Sequence, residues 1–299
     1  MFDRIMLPLD GSEVAEMALP YGEELARRLG SEVVLLHVRR SEHQQYEHMH
    51  QMYLDRLAET VKHNIEKGQP KGTQAKVITK VEVGEAHESI CKLVDEDHID
   101  LLVMASVSAS GLRIAKMLGN VADRICRAVR IPVMLIRPQN VQRIEGKKRL
   151  LNRVLLPLDG SDLSRLALPV AEEMAAMLNV PITLFQMARM VLPYADAVVG
   201  MPLIDYGKMT EDEEKVVRAE ITTLEKQLRE KGLTVTHLIT SGSNAADEII
   251  KASREVGADL VVMSTHGRSG LARWALGSVA ERVLRYSERP LLLVNARPD

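Results

Sequence analysis

Aromatic residues make up only 3% of this chain, and one strong class of partner is set aside on that count. Neither Phe2 nor Phe185 sits in a base-stacking pattern of the kind that single-strand binders use. Charge of one sign is also missing: the formal net charge is −2, which argues against nucleic acid as a partner. Any anion site must therefore be local. No run approaches the roughly 18 apolar residues of a membrane span. The opening stretch MFDRIMLPLDGS enters a strand-like segment at once, without the basic and apolar regions of a signal peptide. The two cysteines, Cys91 and Cys126, have no CxxC spacing and read as buried thiols of a reducing cytoplasm. A cytoplasmic protein with no membrane or nucleic-acid partner is the expectation.

What is present is a repeat. DRIMLPLDGSEVAEMALP from Asp3 returns as NRVLLPLDGSDLSRLALP from Asn152. Pro8 pairs with Pro157, Asp10 with Asp159 and Pro20 with Pro169, each 149 residues apart. DLLVMAS from Asp100 matches DLVVMST from Asp259 at 159, so the second copy carries a ten-residue insertion, assigned to 188–208. IPVMLI and RPLLLV align Pro132 with Pro290 at 158. The division is a first domain over 1–138, a linker over 139–151 in the basic stretch RPQNVQRIEGKKRLLN, and a second domain over 152–299.

Each copy alternates near-continuous apolar strands, such as RIMLPL and DLVVM, with segments of helical period. That pattern predicts an α/β fold: two tandem, open, doubly wound parallel sheets of five strands, Rossmann-like and covered on both faces. Each copy ends in an apolar strand, and uncovered apolar edges invite pairing. The two halves are expected to pack as a pseudo-dimer, with a homodimer of whole chains left open.

Ligands of such sheets bind beyond the carboxyl ends of the strands, where strand order reverses. Two stretches of the second half fall there, PLDGSD (Pro157–Asp162) and STHGRSGLARWALGS (Ser264–Ser278). The second leads into a helix whose N-terminus suits phosphate. Gly267 and Gly277 permit close backbone approach or φ > 0; Arg268 and Arg273 add charge, and His266 is a hydrogen-bond partner for phosphate or ribose. Ser278 has two readings: a donor to phosphate, or the start of a capping box with Glu281. Asp159 likewise either accepts from ribose hydroxyls or makes an Asx turn. Trp274 reads as core packing. The loop is neither a Walker A motif nor GxGxxG.

These residues resemble the universal stress protein family, in particular its tandem two-domain members. The family's ATP-binding members carry G-x-x-G, nine residues, then G-[ST]. Gly267, Arg268–Leu276 and Gly277-Ser278 fit that spacing, with Ser264 in place of the first glycine. The resemblance implies nucleotide contacts at Pro157, Leu158, Asp159, Met187, Met263, Ser264, His266, Gly267, Arg268, Gly277, Ser278 and Val279, with the backbone of Met187 meeting adenine. In the first half Ala105 and Ser108 replace glycines, ten residues separate Ser108 from Gly119, Val107 stands for His266, and Asn120 replaces the serine as an N-cap. A degenerate first site is expected.

The implied function is an adenine-nucleotide-binding regulatory protein of the stress response, with ATP or AMP as ligand and Mg2+ accompanying ATP. The alternatives are a nucleotide-independent interaction scaffold or a slow ATPase. No catalytic constellation stands out: PP-loop chemistry lacks its motif, no Walker B-type acid occurs, and the third strands end without a phospho-acceptor aspartate. His43, His48 and His50 lack a metal-ligand spacing. TEDEEKVVRAEITTLEKQLREKG reads as a solvated outer helix, and VLPYADAVVGMPLIDYGK before it as a lid or a docking loop.

Overall fold

In a computed structural model the described residues are 2–40, 47–67, 69–70, 72–107, 118–138, 149–189, 206–267 and 276–295. The first half runs β1 (Arg4–Leu9), α1 (Glu13–Glu16), α2 (Leu19–Leu29), β2 (Glu32–Arg39), α3 (Glu47–Glu66), β3 (Val77–Val83), α4 (Ala86–Glu96), β4 (Leu101–Ala105), α5 (Asn120–Ala128) and β5 (Val133–Ile136). The second repeats it as β6 (Val154–Leu158), α6 (Asp162–Arg165), α7 (Ala167–Leu178), β7 (Ile182–Arg189), α8 (Tyr206–Glu230), β8 (Val235–Gly242), α9 (Ala245–Glu255), β9 (Leu260–Ser264), α10 (Ser278–Tyr286) and β10 (Leu291–Val294). Among the described residues no helix is long and apolar enough to cross a membrane.

Both five-stranded parallel units expected from the repeat are present, and they join into one sheet. The order is β3-β2-β1-β4-β5-β10-β9-β6-β7-β8. Every pairing is parallel except the central one, where β5 runs antiparallel to β10 with Leu135 opposite Leu291 and Val133 opposite Leu293. All four residues of β5 are buried, as are all four of β10, so each strand covers the other's apolar edge.

Two hydrophobic layers cover the sheet, and each draws residues from both halves. One contains Leu7, Leu25 and Val103 with Leu156, Ile182 and Leu292. The other contains Met6, Ile125 and Leu135 with Phe185, Met263 and Leu291. The insertion assigned to 188–208 lies outside the described residues over 190–205, and the linker over 139–148 does too.

A second tie between the halves runs through buried Glu24 of α2. Its carboxylate accepts from the backbone N–H groups of Leu150 (2.5 Å) and Leu151 (3.1 Å), and Arg28 donates to it at 2.9 Å. Arg28 also donates to the carbonyls of Leu151 (2.6 Å) and Leu178. A buried carboxylate this fully hydrogen-bonded is costly to remove, because its partners stay behind desolvated.

On the α3 side of the first half, buried His37 donates from Nδ1 to the Leu9 carbonyl at 2.9 Å. Its ring stacks on His50 with centroids 4.5 Å apart, so His50 of the sequence-noted histidine run meets a partner that the run itself does not contain. Tyr53 presents its ring edge to His37 and donates to Glu16 at 2.9 Å. Burial and the neighbouring His50 hold the His37 pKa below its ordinary 6.5, against the opposing pull of the Leu9 carbonyl and Asp10. Among the described residues no group of three His, Cys, Asp or Glu is arranged to hold a metal.

Two outcomes follow. Glu24→Ala lowers the unfolding free energy by about 3 kcal/mol, read as the shift of a urea midpoint. A histidine with a depressed folded pKa binds fewer protons folded than unfolded, so its contribution is present above pH 6.5 and lost as pH falls below that value. The melting temperature of wild type therefore drops more steeply below pH 6.5 than that of His37→Gln, which carries the residue found at the matching position Gln186.

Candidate functional site

Strand order reverses between β6 and β9, and the carboxyl ends of those two strands bound a cleft of about 340 Å³. Asp159 follows β6. Its Oδ1 accepts from Ser161 N at 3.0 Å and from Ser161 Oγ at 2.5 Å, while Ser161 caps α6 by accepting from Ser164 N at 3.1 Å. Asp10 makes the same turn with Ser12 in the first half. The Asx turn is thus a real duty of Asp159, carried by one oxygen. The other faces Gly267, where an added Cβ would lie 2.4 Å from Oδ2.

Beyond β9 the chain continues through Thr265, His266 and Gly267. Thr265 is anchored by its N–H to the Val294 carbonyl (2.9 Å), and Ser264 donates from Oγ to the His266 carbonyl. On the far side of the loop Gly277 donates to the Thr265 carbonyl at 2.8 Å, and its own carbonyl accepts from Glu281 N at 2.8 Å. Gly277 is therefore the N-cap of α10, and the capping box expected of Ser278 and Glu281 is not formed. The reason is steric. A Cβ at position 277 would sit 2.8 Å from the Thr265 carbonyl oxygen, so only glycine fits the cap position against that strand. Ser278 becomes the first helical residue, and its hydroxyl makes no hydrogen bond among the described residues. Neither Gly267 nor Gly277 adopts the left-handed conformation allowed for in the sequence reading; their role is close approach.

The cleft is lined by Pro157, Leu158, Asp159, Met187, Met263, Ser264, His266, Gly267, Gly277, Ser278 and Val279, all singled out from the sequence. Arg268, Gly270, Arg273 and Trp274 lie outside the described residues. Ser164, Phe185, Arg189, Ala245, Ile249, Thr265 and Ala280 also line it and were missed. Thr265 sits inside the second quoted loop, Ser164 lies two residues past the first in α6, and Arg189 closes the strand that carries Met187. Ala245 and Ile249 come from α9, whose approach to the cleft no local spacing announces. Its lining combines apolar side chains (Phe185, Met187, Ile249, Met263) with the N-terminal residues of α10.

The first half has a matching cleft of about 170 Å³, lined by Asp10, Val38, Ala105, Val107, Gly119 and Asn120 among others. Ser108 lies outside the described residues. Gly119, not Asn120, is the N-cap of α5, and its N–H donates to the Ser106 carbonyl at 2.7 Å as that of Gly277 does to the Thr265 carbonyl.

The model of the universal stress protein family matches residues 1–137 and again 151–295. The chain belongs to the universal stress protein family. Universal stress protein YxiE of Bacillus subtilis is 28% identical over 146 residues, which is 48% of this chain and 98% of that one. A universal stress protein of Methanocaldococcus jannaschii is 30% identical over 151 residues, 50% of this chain and 86% of its own. The crystal structure of a universal stress protein from Archaeoglobus fulgidus shares the fold over both halves, with a TM-score of 0.72 at 21% identity, covering 99% of this chain and 100% of that one.

The Gly267–Asp159 approach gives a direct test for this universal stress protein. Gly267→Ala destabilises the protein by about 1–3 kcal/mol through overpacking. In the Asp159→Ala background the same change costs less, a coupling of at least about 0.5 kcal/mol in a double-mutant cycle of unfolding free energies.

Proposed function

We propose that the second half binds an adenine nucleotide, ATP or AMP, and that the protein acts in the cytoplasm as a nucleotide-responsive regulator of the stress response. The observation that carries this reading is the Ser278 hydroxyl, released from capping by Gly277 and set at the N-terminus of α10 on the cleft wall. Free backbone N–H groups and the positive helix end there suit phosphate. Adenine lies against apolar Met187 and Met263, with the strand backbone at Met187 meeting its edge. Asp159, whose Oδ1 is held by Ser161, orients towards ribose, and His266 adds a further polar partner.

Among the described lining residues Asp159 is the only carboxylate, so a Mg2+ ion would ride chiefly on the nucleotide's own phosphates. That donor set favours holding over hydrolysis, and an ATPase reading rests on His266 alone. The first-half cleft, about 170 Å³ against about 340 Å³, is read as empty or weakly occupied.

Calorimetry on nucleotide-free protein tests the reading. One nucleotide binds per chain, and Ser278→Ala weakens it about tenfold, as loss of one hydrogen bond to a charged group requires. Because the hydroxyl caps nothing among the described residues, the melting temperature stays within a degree or so of wild type. A stoichiometry of two, or full affinity in both Ser278→Ala and Gly277→Val, overturns the assignment.

A further inference from the structure

The ten-stranded sheet ends on one side at β3, which among the described residues pairs only with β2. The phase of that pairing fixes what the outer edge offers. Val33 donates to the Lys76 carbonyl at 2.8 Å and Gly84 to the Arg39 carbonyl at 3.0 Å, so the even-numbered residues of β3 turn their backbone groups to β2. The N–H and C=O groups of Val77, Thr79, Val81 and Val83 therefore point off the sheet. No residue of β3 is fully buried, and Val83 is 49% exposed, the one strand residue among the exposed large apolar side chains described.

The helix α3 lies along this edge. Gln51 donates to Thr79 Oγ1 and Thr79 to Asp55, both at 3.1 Å, which sets that flank of the helix over β3. Met52 follows Gln51 by about 100° around the helix, on the side away from buried Leu54 and Ala58, so it overhangs the edge. Met52 and Met49 are both more than half exposed. On the opposite face of β3 stand Lys80 and Glu82. Lys80 donates to Asp97 at 2.7 Å, whereas half-buried Glu82 has neither a hydrogen bond nor an ion pair among the described residues.

We propose that β3 is the seat of a homodimer, pairing antiparallel with β3 of a second copy about a two-fold axis at Val81. In this register Val81 exchanges both backbone bonds with its copy, and Thr79 does so with Val83 of the second chain. Lys80 then faces Glu82 of the second copy at a closely spaced, non-hydrogen-bonded position, and the axis repeats the pair. The lone carboxylate gains a cation, and Lys80 keeps Asp97 on its other side. On the α3 face each Val83 comes beside Thr79 and beneath the overhanging Met52, out of water. The joint β5–β10 is the same antiparallel edge contact made within one chain. The far edge, β8, offers no such match. Ile182 donates to the Thr234 carbonyl, so Val235, His237, Ile239 and Ser241 face outward there, and the side chains of His237 and Ser241 are already bonded to Glu225 and Glu214. A two-fold axis at Ile239 would set Leu238 against Thr240, with no charge pair. The proposal does not rest on the nucleotide reading.

Sedimentation velocity of the full chain over a concentration series tests this. A monomer–dimer equilibrium is expected, with no larger species, because an isologous contact closes at two copies. Val83→Pro removes an N–H that points off the sheet, so the protein stays folded by circular dichroism and loses the dimer. Glu82→Lys sets like charges opposite each other, gives up no ion pair among the described residues, and weakens the dimer about tenfold. Lys80→Glu, checked for folding because it also faces Asp97, does the same. An equimolar mixture of these two variants recovers the dimer, since every facing pair of positions 80 and 82 is then of opposite sign. A wild type that stays monomeric over the whole series overturns the proposal. So does a dimer that survives both Val83→Pro and Glu82→Lys unchanged, which moves the contact elsewhere, or open-ended growth, which would join β3 to β8. If both charge variants are folded monomers and their mixture stays monomeric, the register at Val81 is wrong.

Discussion

The antiparallel pairing of β5 with β10 is the constraint on which the rest of the molecule depends. Each strand is four residues long and wholly apolar, and each would otherwise be the bare edge of a five-stranded sheet. Pairing them removes both edges at once and aligns the two helical layers, so that each hydrophobic layer continues from one half into the other. The side-chain ties then reinforce a contact that the backbone already makes. Arg137 and Asn295 cross the joint in opposite directions to the ends of α10 and α5, and Glu24 with Arg28 holds the chain entering the second half against α2 and α7.

The two halves keep one scaffold and diverge in chemistry. Gly277 against the Thr265 carbonyl and Gly119 against the Ser106 carbonyl are the same contact, a helix N-terminus drawn tightly to the end of the preceding strand. That contact is backbone to backbone, so it tolerates any residue at the next position. Ser278 and Asn120 occupy that position, and they differ in what they offer to a cleft. Met187 against Val38 and His266 against Val107 continue the divergence. A duplicated unit can in this way retain its packing while the clefts of its two copies differ in size and lining, about 340 Å³ against about 170 Å³.

Much of the architecture was legible because duplication writes the same physical pattern twice. The repeat of Pro8–Asp10 at Pro157–Asp159, the apolar strand runs and the terminal strands IPVMLI and RPLLLV implied two parallel units meeting edge to edge. Eleven cleft residues were also legible, because strand ends and loops at the point of strand-order reversal are local features of a known layout. The cap was misread. Ser278-x-x-Glu281 has the spacing of a capping box, but the spacing carries no information about the Thr265 carbonyl, twelve residues upstream of Gly277.

By itself, then, the sequence determined the elements, their parallel order, and which strand ends would gather at each cleft, since these follow from periodicity and covalent neighbourhood. Only the tertiary structure decided that Gly277 caps α10 and frees Ser278, that Glu24 meets the backbone of Leu150 and Leu151, and that His37 stacks on His50. Each of these depends on atoms far apart along the chain and close in space, where a carbonyl within reach or a missing Cβ settles the outcome.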